Sequence, residues 1–428
     1  MPEMKPSPAE ALKAQSRHLR GPIAEDLLND APQFSKPSVG VLKFHGIYQQ
    51  DDRDLRKKQP ERVYSCMVRV GIPGGVVSAR QYLELDRLAE ELGDKTLRIT
   101  SRQDVQYHYV GKRDLKSLIQ AIDRSGLSTL AACGDVVRNV TYDSTPIEAA
   151  NRADLMEYVR LVARELKPKT HAYAEIWLDG EKAASWEEER DELYGETYLP
   201  RKFKIAFAFP GENLIDIYSN DLGFVPHVEG GQVAGSTVLA GGGMGQSNGV
   251  KQSHPRMADP VCFIGPSREE VLETAKAVVG IHRDFGNRSN RKLARLKYVL
   301  DERGLEWFRE ELSARLGKPL PPPRELLWRR QEDYLGWHPQ AGGGWFYGLR
   351  VISGRLKGAI RAAVGEVVEA TGCEIRFTVQ QNLLFTGLDE ARRALVERIL
   401  RKHGVADVAE LPPVLRQSMA CPALPTCG

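Results

Sequence analysis

Between Leu97 and Val110 apolar and polar positions alternate. Leu97, Ile99, Ser101, Gln103 and Val105 fall on one side, and Arg98, Thr100, Arg102, Asp104 and Gln106 on the other, with His108 next in line. A period of two is the mark of a strand, so a single strand is predicted over this stretch. Its polar face carries two guanidiniums, a hydroxyl and an amide in a row, which suits it to holding an anion. Alone, such a face is better explained as the solvated side of an edge strand. Upstream, Met67–Ile72 reads as a strand closed by Pro73-Gly74-Gly75. Ser78 then caps a helix through Leu92, with Tyr82, Leu85, Leu88, Ala89 and Leu92 at the helical period and Gly93 as its stop. A further helix is predicted at Asp114–Ser125. Strand, helix, strand, helix is half of a ferredoxin-like α+β sandwich.

The pattern recurs far down the chain. Phe346–Ile352 reads as a strand carrying Arg350 as Met67–Ile72 carries Arg69. Leu356–Ala370 reads as a helix with Ile360, Ala363, Val364 and Val367 inward, stopped at Gly372. Glu374–Thr386 reads as a strand in which Arg376 matches Arg98 and Thr378 matches Thr100. An internal repeat of this kind changes the fold reading. Two ferredoxin-like halves about a pseudo-twofold are expected, with their polar strand faces around one shared site.

Between the copies lies a larger α/β unit. Arg152–Leu166 is a predicted helix and His171–Leu178 a strand. The run YLPRKFK (198–204) opens an apolar strand, Ile205–Pro210. Arg201, Lys202 and Lys204 sit at its mouth, and Lys202 and Lys204, two apart, share a face. Any one of them alone reads as a solvated, snorkelling side chain; the set does not. The loop Gly241-Gly242-Gly243-Met244-Gly245 permits close backbone approach to an anion. A long basic helix is expected over Asn290–Leu312, and PLPPP (319–323) as a linker. The domain division is therefore an N-terminal arm (1–45), a first ferredoxin-like half (46–145), an α/β unit (146–318), a linker with the second half (319–395), and the start of a further unit (396–428).

Composition narrows the class. A 428-residue chain with a formal net charge of +3 has room for more than one core and too little basic excess for a nucleic-acid binder. No apolar run is long enough for a bilayer and the polar N-terminus has no signal-peptide core, which points to a cytoplasmic protein without membrane or nucleic-acid partners. Cys66, Cys133, Cys262 and Cys373 are scattered, as reduced core thiols are. Cys421 and Cys427 differ. Their C-x5-C spacing is a poor match to structural zinc and supplies half of the four thiolates that an iron–sulfur cluster takes.

The segments LRGPIAEDLLND, FHGIYQQDDRDLR, IPGGV, LRITSRQDVQYH, ACGDVVRNV, AYAEIWLDGEK, YLPRKFK, NDLGFV, DFGNRSNRKLARLKY and SMACPALPTC, spread over nearly the whole chain, resemble the sulfite/nitrite reductase family, in particular the hemoprotein (beta) subunits of assimilatory sulfite reductase. The resemblance implies two ferredoxin-like halves and two larger α/β units around one siroheme, coupled to a 4Fe-4S cluster. It also implies six-electron reduction of sulfite to sulfide. Siroheme carries eight carboxylates, so its cradle must be cationic. By position Arg98, Thr100, Arg102, Gln106, His108 and Arg201 are the implied cradle. Arg69, Arg138, Lys202 and Lys204 are the implied substrate residues, and Cys421 and Cys427 the first two cluster ligands.

The family's second cysteine pair, in a TGCPNGC-like motif, has no counterpart before Gly428, so two of four cluster ligands are expected here and the second large unit only in its beginning. On that reading the isolated chain is a poor or inactive reductase. Two alternatives stand beside it: nitrite reduction to ammonia, and a non-catalytic siroheme-binding fragment that needs a complementary chain. The electron donor is either an NADPH-dependent flavoprotein subunit or a ferredoxin.

Overall fold

The computed structural model describes residues 5–147, 149–170, 176–178, 181–184 and 191–421. Its strands, in chain order, are β1 (Ile47–Asp51), β2 (Tyr64–Val70), β3 (Val76–Val77), β4 (Leu97–Ile99), β5 (Val105–Val110), β6 (Thr141–Tyr142), β7 (Ile176–Leu178), β8 (Glu181–Ala184), β9 (Ile205–Phe207), β10 (Leu222–Glu229), β11 (Gln232–Ala240), β12 (Asp259–Ile264), β13 (Gly336–Pro339), β14 (Trp345–Leu349), β15 (Arg355–Leu356), β16 (Glu374–Phe377) and β17 (Leu383–Leu388). Three five-stranded sheets result, ordered β1-β2-β5-β4-β15, β12-β11-β10-β9-β6 and β13-β14-β17-β16-β3, with β7 and β8 as a separate hairpin.

The first and third sheets are the two halves of the repeat, and each lends the other a strand. β15, from the second half, pairs with β4 of the first through Arg355↔Arg98 and Leu356↔Leu97. β3, from the first half, pairs with β16 of the second through Ile375↔Val77 and Arg376↔Val76. One apolar core serves both. Tyr82, Leu85, Leu88 and Ala89 of helix Ala79–Leu92 are buried in the same cluster as Val364, Val367 and Val368 of helix Gly358–Thr371. Ser78 starts the first of these helices as the sequence predicts, in a capping box. Its hydroxyl accepts the Gln81 amide at 3.2 Å and its own amide donates to Gln81 Oε1 at 3.0 Å.

The stretch predicted as one strand from Leu97 to Val110 is a hairpin, and so is Glu374–Thr386. The chain reverses over residues 100–104 and 378–382, at Gln103 (φ 59°) and Gln381 (φ 65°). Thr100 explains its own repetition. Its hydroxyl accepts the amides of Arg102 and Asp104 inside the turn, as Thr378 accepts that of Asn382. The two turns also grip each other: Gln103 Nε2 donates to Phe377 O at 2.8 Å, and Gln381 Nε2 to Ile99 O at 3.5 Å, the equivalent carbonyls. The expected correspondence of Arg350 with Arg69 fails on register. Arg69 lies opposite Gln106 one step in from the Val70↔Val105 pair, and Gly348 occupies that place beside Leu349↔Leu383.

The middle sheet and its helices form a second core that includes Phe203, Ile205, Phe207, Phe224, Val238 and Val278. The predicted basic helix over 290–312 is broken at Gly304 (φ 86°) into Leu296–Arg303 and Leu305–Leu316. The long helix Arg268–Phe285, capped by Ser267, is one that the residue pattern does not predict. The N-terminal segment is docked rather than loose: buried Lys13 donates to Leu199 O at 2.8 Å and pairs with Glu10, which in turn meets Arg288. Among the described residues no helix is long and apolar enough to cross a membrane.

Candidate functional site

The strand exchange assembles a polar row that neither half owns. Arg69 on β2 lies opposite Gln106 on β5, Gln106 opposite Arg98 on β4, and Arg98 opposite Arg355 on β15. Four residues thus cross four adjacent strands, roughly 14 Å at the usual spacing of about 4.8 Å. The turn brings Arg98 and Gln106 together as ladder neighbours, so the predicted shared face survives although the predicted strand does not. With the Gln106 amide oriented to present its oxygen, it accepts from Arg69 Nε at 3.0 Å and Nη2 at 2.5 Å. His108 follows on the same face. Burial first, and then Arg98, Arg355 and Arg69, push its pKa down to about 4, so the ring is neutral at pH 7. Arg355 was not anticipated, because a two-residue strand carries no periodicity.

Beside Arg69, the Arg138 guanidinium donates through Nε to Ala132 O at 2.9 Å. Both arginines converge on Cys133, whose sulfur lies 3.0 Å from Arg69 Nη1 and 3.5 Å from Arg138 Nη2. Tyr48 completes this corner; burial and then Cys133 hold its hydroxyl pKa above the ordinary value. The sequence reading had Cys133 as a core thiol, and it is buried, but its partners are the two arginines expected at the substrate.

Lys202 and Lys204 sit where the chain enters β9. Neither ammonium has a carboxylate at ion-pair distance among the described residues; Asp221, the nearby acid, pairs instead with Arg295 at 2.7 Å and accepts the Lys204 amide at 2.9 Å. Burial, and then Arg201, Arg295 and Arg138, push the Lys202 pKa down to about 8. Lys204 is driven well below the ordinary lysine value by burial, then by Arg102, Arg295 and Lys202. Arg201 lies 3.9 Å from Asp135, a carboxylate already held by Arg291 at 2.6 Å.

Arg102 behaves differently from Arg98. The turn aims it inward, where it donates to Asn220 Oδ1 at 2.5 Å, Ile205 O at 2.7 Å and Asn139 O. It therefore ties the first half to the middle sheet. Asp104, two residues on, is 1 % exposed, and neither of its carboxylate oxygens accepts a hydrogen bond. Burial lifts its pKa to about 6 against the pull of Arg69, Arg138 and Arg102.

The glycine loop after β11 does not offer an anion nest. The amides of Gly241, Gly242 and Gly243 are spent on Asp221, Asn220 and Arg256 carbonyls, and its own carbonyls face outward to cations, Gly243 O and Gly245 O to Lys297. Nor does the second half repeat the first half's polar face. Arg376 is neutralised by Glu374 at 2.8 Å and donates to Ser144 O, lining a separate cavity of about 330 Å³ with Tyr142, Arg152 and Met156. Cys421 is exposed; Cys427 lies outside the described residues.

A family model described as the ferredoxin-like half domain of nitrite/sulfite reductases matches residues 57–125 and again 338–403, and one described as the nitrite and sulphite reductase 4Fe-4S domain matches residues 159–320. The chain belongs to the nitrite and sulfite reductase family. The sulfite reductase (NADPH) hemoprotein beta-component of Myxococcus xanthus is 42% identical over 431 aligned residues, covering 99% of this chain and 76% of that protein. That of Shewanella sp. strain ANA-3 is 42% identical over 442 aligned positions, covering 100% and 77%. Among solved structures, the Mycobacterium tuberculosis NirA protein superposes with a TM-score of 0.79 at 24% identity over 99% of this chain and 74% of its own, which establishes the shared fold.

The donor set of this reductase family member fits a polyanionic tetrapyrrole. The Arg69–Gln106–Arg98–Arg355 row, with the half-buried Lys202 and Lys204 that have no carboxylate at ion-pair distance among the described residues, forms a cationic surface. Among the described residues no group of three or more His, Cys, Asp or Glu gathers as a metal site, so these residues do not amount to a ligand set for a cluster.

Proposed function

We propose that this chain is the hemoprotein component of an assimilatory sulfite reductase, reducing sulfite to sulfide. The observation that carries the reading is the pair Lys202 and Lys204, which has no carboxylate at ion-pair distance among the described residues, with Arg138 close enough to lower the Lys202 pKa and Arg69 meeting Arg138 at Cys133. Siroheme coupled to a 4Fe-4S cluster would supply the electrons when bound. Arg98, Gln106, His108 and Arg201 are the proposed cradle for its carboxylates, with Thr100 shaping the turn, Arg102 anchoring it from behind and Arg355 added by the exchanged strand. Cys421 and Cys427 are the proposed cluster ligands contributed by this chain.

The protein's own work is electrostatic and protonic. Arg69 and Arg138 hold fixed positive charge, since guanidinium does not titrate in this range. They orient the anion and draw charge onto its oxygens as the S–O bonds weaken. Lys202 and Lys204, with pKa values already brought down, hold protons at Nζ that can pass to a departing oxygen and leave as water. The relatives' NADPH-dependent naming supports a flavoprotein as donor over a ferredoxin.

Expression in a siroheme-making host and anaerobic purification test the cradle. A Soret band with a red visible band is expected, and Arg98→Ala is expected to lose most of it while circular dichroism stays unchanged. A folded, colourless unsubstituted chain counts against the reading. In the cofactor-loaded holoenzyme, with all four cluster ligands supplied and a reduced viologen as donor, kcat/KM for sulfite is expected to exceed that for nitrite; the reverse order would favour nitrite reduction.

Lys202 predicts the pH dependence. An anion beside it favours the ammonium, so above about pH 8 binding must take up a proton. Sulfite affinity is therefore full below pH 8 and falls as pH rises through it. Lys202→Arg is expected to abolish that alkaline fall, read from KM between pH 7 and about 10.

A further inference from the structure

Arg350 stands outside the row of cations and outside the register correspondence with Arg69, yet it is 4 % exposed and its guanidinium is fully engaged. Nη1 donates to Asn382 Oδ1 at 2.7 Å, and Asn382 is held through its Nδ2 by Asp333 at 2.7 Å. The rest of the fork turns to the C-terminal segment: Nε donates to Leu415 O at 2.5 Å and Nη2 to Ser418 O, with Ser418 Oγ at 3.3 Å. Two residues further on, Ala420 is gripped from both halves. Its carbonyl accepts from Arg98 Nη2 at 2.6 Å and Gln381 Nε2 at 3.1 Å, and its amide donates to Gln381 Oε1 at 3.2 Å. One further tether reaches the segment, Gln417 Nε2 donating to Glu332 Oε1 at 3.1 Å, while Val414 and Met419 are 71 % and 47 % exposed.

We infer that Arg350 is a positioning residue, the anchor of a clamp that fixes the backbone before Cys421 and so sets that cysteine against the Arg98 end of the row. Asn382 and Asp333 pre-orient the fork, Arg350 fixes residues 415 and 418, and Gln381 with Arg98 fixes residue 420. The second half thereby serves the site by holding a proposed ligand segment, its own polar face being already neutralised. The value of that placement rests on the siroheme and cluster reading; the clamp itself does not.

The test uses the full chain with Cys427→Ser and a nitroxide attached to Cys421, the other four cysteines being buried. An immobilised spectrum is expected. Arg350→Ala should narrow the lines and speed tryptic cleavage after Arg416 about tenfold or more, as loss of two charge-assisted hydrogen bonds implies. Gln381→Ala should act in the same direction and less. Arg350→Lys should not restore immobility, because one ammonium cannot reproduce the fork. An immobile label and an unchanged cleavage rate in Arg350→Ala overturn the clamp. If that variant does not fold, an immobile label in both Arg350→Lys and Gln381→Ala does so. These readouts need no cofactor, so a colourless chain with an immobile tail refutes the siroheme reading and leaves the clamp standing.

Discussion

Replacing Lys204 with methionine is expected to cut sulfite turnover about 10²–10³-fold while making the protein more stable. The two halves of that statement have one cause. Lys204 is half-buried among Arg102, Arg295 and Lys202, with no carboxylate at ion-pair distance among the described residues, and its pKa is driven well below the lysine value, first by desolvation and then by those cations. In the unfolded chain the same amine is solvated and protonated. The unfolded state therefore binds more protons than the folded one, and stability rises with pH through the interval between the two pKa values. Methionine keeps the apolar stem and removes the group that is costly to bury, for a gain of about 1–2 kcal/mol, largest on the acid side of that interval. The same removal takes away positive charge and a proton from the pocket proposed for the anion, a loss of the size seen when one preorganised donor is deleted. Urea unfolding at pH 6 and 8 and sulfite-dependent viologen oxidation check the two halves separately. A destabilised, inactive variant would mean that Lys204 is structural; a stable, fully active one would remove it from the site.

Much of this arrangement could be read from residue order, and what could not has physical reasons. Helix Ala79–Leu92 was legible because Ser78 and Gln81 make a capping box and the apolar residues keep one face. The repeat was legible because the Thr100 and Thr378 turns need the same hydroxyl. The turns themselves were hidden. They reverse at Gln103 and Gln381, long polar residues at positive φ, with no glycine or proline at the reversal. That concealed which way Arg102 points, and it is why Arg102, predicted beside Arg98, anchors the middle sheet instead. The strand exchange was equally hidden, since β3 and β15 are two residues long. Register alone separates Arg350 from Arg69: both are arginines near the end of an apolar strand, and one residue more or less in that strand decides whether the side chain joins the row or grips the C-terminal segment.

The exchange also predicts where the fold is least tolerant. Gly75 (φ +73°) and Gly354 (φ +65°) are the last residues before β3 and β15, at equivalent points of the two halves. A Cβ on Gly75 would stand 2.5 Å from Phe377 O and 2.9 Å from Gln103 Nε2; a Cβ on Gly354 would meet Ile99 O, with Gln381 Cβ at 3.2 Å. Phe377 O and Ile99 O are the carbonyls that Gln103 and Gln381 grip, so the methyl group would push on backbone that is itself pinned. Either alanine variant is expected to lose about 2–4 kcal/mol, from the strained φ and the displaced strand together. Gly358 separates the two contributions, because it has φ +53° with open space around its Cβ position. Gly358→Ala carries the conformational cost alone, about 1–2 kcal/mol. In urea unfolding, Gly354→Ala should therefore fall clearly below Gly358→Ala. It should also lose tetrapyrrole absorption disproportionately, since β15 delivers Arg355 to the Arg98 ladder. Equal losses for the two variants would mean that the halves part at Gly354 without strain, and the exchanged strands would then be a consequence of the repeat rather than what holds its row of cations in line.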